Sequence, residues 1–189
     1  QRDRFGHFLH YWARFFFVGY IHLFRYFRHR GRSRYVRKFV VGELSWLALM
    51  GVALWVDPVA ASVVLLGPFL LIRFFMMTGN WSQHAFVDVD EPANAYRNST
   101  CLVNIRYNHI CYNDGYHIVH HLKPSLHYME MATWFHDWAE AFGEQDALVF
   151  DALGNNQAVW WCLMTRDYDK LAEHMVDLPG APERTHDDK

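Results

Sequence analysis

The sequence predicts an all-α fold: an integral membrane helical domain in which a transmembrane hairpin bears a cytoplasmic-type helical cap carrying histidines. Three observations predict it. A basic, aromatic segment opens the chain, two long apolar runs follow, and histidines crowd into NDGYHIVHHLKPSLHY at residues 113–128.

With 189 residues, 52% hydrophobic and 17% aromatic, the chain suits one domain, 1–189. Within it we expect an amphipathic interfacial helix and basic patch at 1–38 and the hairpin at 39–79. A histidine-bearing cap at 80–176 and a loose tail at 177–189 complete the division. The net charge of −2 conceals an asymmetry: residues 1–79 hold 11 Lys/Arg against 3 Asp/Glu, and residues 80–189 hold 7 against 17. A basic half with such long apolar runs points to an anionic membrane surface and away from nucleic acid. Cys101, Cys111 and Cys162 form no C-x-x-C pair, so neither a zinc knuckle nor a disulfide framework is indicated, and a reducing compartment is expected. The opening Gln1-Arg2-Asp3-Arg4 is not a signal peptide and lacks a starting Met, so an unnatural start is expected.

Over residues 5–32, His7, His10, Arg14, His22, Arg25, Arg28 and Arg32 form a narrow polar stripe on an otherwise apolar helix. That pattern suits a helix lying at a bilayer interface. Seven Lys/Arg between Arg25 and Lys38 then read as a positive-inside patch. The runs 39–56 and 59–77 each hold one charge, Glu43 and Arg73, and are separated by Asp57-Pro58. Each is long enough to cross the ~30 Å of hydrocarbon. Glu43 and Arg73 fall at similar depth, where pairing or snorkelling is expected, and Gly67-Pro68 should kink the second span.

Two crossings return the chain to its starting side, so the histidines share a face with the basic patch. On that face the sequon Asn98-Ser99-Thr100 should stay unmodified. A polar loop is expected over 88–104. A helix through the histidines should stop before Lys123-Pro124, and helical periodicity recurs over 129–142 and 157–176.

Positions i, i+3 and i+4 share a helix face, so His117, His120 and His121 converge. Neutral imidazole is a common ligand of iron, zinc and copper, and three on one face are hard to satisfy by packing alone. His84 by itself reads as structural, but it lies just beyond the second span with Asn80 one turn earlier. Asp88, Asp90 and Asp114 read either as groups orienting ligand rings or as solvated and capping residues, with capping the better reading of Asp114. His109, His127 and His136 read as structural. There is no G-x-S-x-G, no glycine-rich phosphate loop and no H-E-x-x-H.

GNWSQHAFVD and YNDGYHIVHHLKPSLHY, following a membrane hairpin, resemble the C-terminal half of the membrane-bound, histidine-box fatty acid desaturase and hydroxylase superfamily; LMTRDYDKLAEHMV is compatible with it. The resemblance implies a di-iron centre, two iron ions held mainly by histidines. His84, His117, His120 and His121 would be ligands, with Asn80 acting through water. It implies oxygen-dependent desaturation or hydroxylation of a lipid acyl chain, with electrons from a donor such as cytochrome b5 or ferredoxin. The family's two earlier histidine boxes are not found here, so the expectation is the C-terminal part of such an enzyme. The alternative is a non-catalytic, desaturase-derived structural subunit among other membrane subunits, and a hydrolytic zinc site is a weaker third reading.

Overall fold

The computed structural model describes residues 3–185; Gln1, Arg2 and residues 186–189 lie outside it. The chain separates into two compact units, Phe8–Met77 and Gln1–His7 with Thr78–Lys189.

In the Phe8–Met77 unit three long helices dominate. Helix α1 (Phe5–His29) begins in the other unit and ends in Arg28 and His29, cations that complement the negative end of its dipole. Gly31, at φ +65°, turns the chain into α2 (Ser33–Val56). That turn is stapled by the stacked rings of Phe27 and Tyr35, whose centroids lie 5.6 Å apart. Asp57 closes α2 and opens α3 (Pro58–Ala61). Its carboxylate accepts from the amides of Val59 (3.1 Å) and Ala60 (2.9 Å), while Pro58 fills the first helical position, where no donor is needed. A π-helical turn over Ser62–Leu66 leads into α4 (Gly67–Gln83), so the irregularity expected at Gly67-Pro68 takes the form of one inserted residue just ahead of it.

The helical stretches Ser33–Val56 and Pro58–Gln83 span about 36 and 39 Å at ~1.5 Å per residue. Both are apolar and long enough to cross a membrane. Their surfaces stay largely uncovered: Leu47 is 63% and Trp55 85% exposed. Aromatic contacts hold the unit together, with Phe69 touching Trp46 (5.4 Å) and Phe16 (5.9 Å), and Phe8 edge-on to Phe74 (5.5 Å). Glu43 and Arg73 make no ion pair among the described residues; the Arg73 guanidinium lies instead over Tyr20 (5.3 Å) and Phe69 (5.0 Å).

As expected of a helical domain, the second unit is built on short helices, with one small two-stranded parallel sheet among them. Strand β1 (Cys101–Val103) pairs with β2 (Val149–Asp151), Cys101 opposite Val149 and Val103 opposite Asp151. The crossover between them carries α5 (Arg106–Ile110), α6 (His117–Leu122), α7 (Met131–Asp137) and α8 (Ala139–Glu144). Cys101, Ile118, Val119, Phe135, Phe142 and Val149 form the centre of the core. Where periodicity suggested one helix over 157–176, α9 (Asn156–Thr165) and α10 (Tyr168–Glu173) are separated by Arg166 in the left-handed conformation, φ 59°. Asn155 and Asp167 cap the two helices.

Over 177–185 the tail is packed rather than loose. Leu178 is buried in the core, Arg184 pairs with Asp146, and the backbone of Pro179 lies so close to Gly143 that a Cβ there would overlap it. Residues 186–189 of that expected tail lie outside the described residues.

Candidate metal centre

The four matched histidines reach their places from two elements. His84 follows the last residue of α4, Gln83; His117, His120 and His121 lie on α6. The entry to α6 is set by the Asn-Asp-Gly turn. Tyr112 and Asn113 both have positive φ (51° and 55°), and the Asn113 side-chain amide donates to the Tyr128 carbonyl at 2.8 Å. Gly115 follows. Its N–H donates to Asn108 Oδ1 (2.9 Å), its carbonyl accepts from the Leu102 amide (2.7 Å), and Asn108 Nδ2 donates to the Leu102 carbonyl (2.9 Å). A Cβ on Gly115 would overlap both Asn108 Oδ1 and the Leu102 carbonyl. Only glycine lets the chain pass this close to β1, which seats α6 against that strand.

Three imidazoles converge. His117 Nε2 lies 3.2 Å from His84 Nε2 and 3.1 Å from His121 Nε2, and the three ligand atoms fall within 4.8 Å of one another. His120 takes a different direction. Its ring centroid is 5.9 Å from that of His117 and 6.0 Å from that of His121, and it lines a separate cavity of about 460 Å³ with Tyr107, Cys111, Asp114 and Met131. His117 borders both spaces. Asn80 stands on the last turn of α4, one turn before His84.

Proton bookkeeping favours a cation between the three rings. His84 Nδ1 is 2.7 Å from the Asn98 carbonyl, which can only accept, so Nδ1 carries the proton and Nε2 presents its lone pair. His117 Nε2 stands between two other ring nitrogens and has at most one proton to offer, so it cannot donate a directed N–H···N bond to both. Burial, then the neighbouring rings of His121, His84 and His120, pushes the His117 pKa down to about 3. Burial, then His84 and His120, lowers that of His121. Neutral imidazoles are the ligating form. Two nitrogens about 2.0–2.1 Å from one ion stand about 2.9–3.4 Å apart for angles of 90–109°, which brackets both contacts. The donor set therefore fits a first-row metal ion.

Asp114 does not cap α6, which has no side-chain cap. Its Oδ2 accepts from Gln83 Nε2 (3.0 Å) and Asn156 Nδ2 (3.1 Å), tying together the last residue of α4, the turn before α6 and the first residue of α9. Burial raises its pKa against the opposing effects of Gln83, His120 and Asn156. Asp88 has partners of its own. Asp88 accepts from the Asp90 amide (2.9 Å) and pairs with Arg97 (3.3 Å), and these contacts hold its carboxyl below the usual range. The group that orients His84 is the Asn98 backbone carbonyl, which no side-chain pattern reveals. Of the remaining histidines, His127 caps a 3-10 turn by accepting from the Met129 amide, and His109 and His136 are exposed. Gln83, adjacent to His84, carried a local signal; Asn156, 42 residues from Asp114, carried none.

Fold and site together define a mostly helical protein with two apolar helices long enough to cross a membrane and a histidine cluster of metal-binding spacing. The chain matches the model of the fatty acid desaturase family over residues 1–152, and it belongs to that family. The family is one of lipid desaturation and hydroxylation, an oxidoreductase kind. No curated protein and no solved structure matches the chain.

Proposed function

We propose that the chain is the C-terminal part of an oxygen-dependent, di-iron acyl-lipid desaturase or hydroxylase. The observation that carries this reading is the pair of short contacts at His117 Nε2, 3.2 Å to His84 and 3.1 Å to His121. His84, His117 and His121 hold one iron through Nε2, and Asn80 contributes through water. His120 is the residue this chain offers to the second iron. When bound, the pair of irons supplies the oxidising power that attacks an unactivated aliphatic C–H bond, using dioxygen and two electrons from a donor such as cytochrome b5 or ferredoxin.

The chain's own residues bind and orient. The Asn98 carbonyl keeps the Nδ1 proton on His84 and so fixes the ligating tautomer. Burial keeps His117 neutral and ready to ligate at every physiological pH. Asp114, held by Gln83 and Asn156, fixes the turn that delivers α6. Four histidines do not fill two iron sites, so further ligands come from a segment carrying the earlier histidine boxes. Ser33–Val56 and Pro58–Gln83 cross the bilayer, with the histidines on the face of the basic patch; on that side Asn98 carries no glycan, which mass spectrometry checks.

The test is metal analysis of the purified chain loaded with ferrous iron under anaerobic conditions. Retained iron that is lost on His117→Ala supports the reading. A chain that retains no iron, or whose iron is indifferent to His117→Ala, overturns it in favour of a non-catalytic membrane subunit.

A further inference from the structure

The Phe8–Met77 unit contains a cavity of about 770 Å³, within the usual range for small-molecule sites. Its walls are apolar and aromatic, from Phe15, Tyr20 and Leu23 of α1 and Phe39 of α2. It follows α1 from Tyr11 to Tyr26, fifteen steps of ~1.5 Å or about 22 Å, which exceeds the ~15 Å depth of one bilayer leaflet's hydrocarbon. Besides its tyrosines, the charged and titratable groups facing it are Arg14, His22, Glu43 and Arg73. Glu43 and Arg73 are the two charges of the apolar runs, and both are turned into this space rather than paired with each other. The Arg73 guanidinium is braced over Tyr20 and Phe69 and makes no ion pair among the described residues. A guanidinium fixed in this way has its donors directed for a planar or tetrahedral oxyanion.

A second observation concerns the cavity's far end. Tyr26 lies beneath the guanidinium of Arg30, at 5.7 Å, within the cluster of seven exposed cations between Arg25 and Lys38. No acidic residue occurs from Arg4 to Gly42. An uncompensated cluster of this kind, continuous with apolar helices, concentrates anionic phospholipid near the surface.

We propose that this cavity is a binding site for one anionic phospholipid, its acyl chain along the aromatic wall and its phosphate held by Arg14 and Arg73. Glu43 accepts from a headgroup hydroxyl and excludes a second phosphate by repulsion. The assignment does not depend on the histidine cluster, so a failure of the iron reading leaves it standing.

The full chain, purified in mild detergent, is offered phosphatidylglycerol, phosphatidylcholine or free oleate, and bound lipid is counted by native mass spectrometry. One phosphatidylglycerol is expected, retained about tenfold better than phosphatidylcholine. Arg73→Gln and, separately, Arg14→Gln at an exposed position should each lower that retention about tenfold, the lower bound for a charge-assisted hydrogen bond. Arg34→Gln in the exposed cluster, outside the cavity lining, should leave the retained lipid in place. Equal retention of both phospholipids, retention of oleate alone, no retained lipid, or indifference to both Arg14→Gln and Arg73→Gln would each overturn the proposal.

Discussion

His84 Nε2 and His117 Nε2 stand 3.2 Å apart although 33 residues separate them in sequence. The contact joins the end of α4 to the beginning of α6, and His121 extends it by 3.1 Å. His117 is therefore the hinge of the cluster, while His120, one turn along, is not a member of it. Substituting His117 by Ala should lower affinity for a probe ion such as Co(II) at least 100-fold, more than the 10–100-fold typical of residues that only support a ligand. His120→Ala should leave this site's Co(II) affinity within a few fold. Isothermal titration of both variants checks the distinction, and equal losses would refute it.

Protonation should compete with folding at the same place. The folded His117 pKa is depressed to about 3, against about 6.5 for an unfolded histidine. Between those values the unfolded chain binds more protons than the folded one, so stability rises with pH through this window. The contribution is fully present above about pH 6.5 and is lost as pH falls toward 3. His121 adds in the same direction. Asp114, whose folded pKa is raised, works the opposite way as it takes up its proton. Urea unfolding of the metal-free chain at pH 5 and 7.5 should give a lower midpoint at pH 5, and a His117→Gln chain should lose most of that difference.

Asp114 is the acceptor for two buried amides, Gln83 and Asn156, which are 6% and 2% exposed. Asp114→Ala strands both donors and should cost about 2 kcal/mol. Asp114→Asn keeps one acceptor oxygen and should cost about half as much. Denaturant midpoints at constant slope measure both.

Gly115 has no room for a side chain between Asn108 and Leu102. Gly115→Ala should destabilise by more than about 2 kcal/mol, because the overlapping atoms include a backbone carbonyl in the sheet. The matched control is Gly51→Ala, where nothing lies within 4 Å of the new Cβ; it should be neutral or stabilise α2 by up to about 1 kcal/mol. Thermal unfolding in detergent separates the two.

The parts of the molecule legible in the sequence are those whose cause is local. Apolar length marked the two long helices, Asp57-Pro58 marked their junction, and Lys123-Pro124 marked the end of α6. The spacing H-x-x-H-H placed three histidines on one helix. Spacing alone could not show that His120 departs from the other two, because a six-residue helix divides its face between the cluster and a cavity. The strands escaped notice because three residues each are too few for alternation to register. Asp114 was misread as a cap for a related reason: its partners lie 31 and 42 residues away, and helix starts are the commonest local use of Asp.

The π-helical turn at Ser62–Leu66 acts as a phase-setter for everything that follows it in the second apolar helix. One inserted residue advances the helical wheel by about 100°, a little more than a quarter turn. Deleting a single residue from that turn would preserve hydropathy, length and composition almost unchanged, yet swing Arg73 away from Tyr20 and out of the cavity. For this helix, membrane compatibility and side-chain azimuth are thus encoded separately, the first by composition and the second by a count of one.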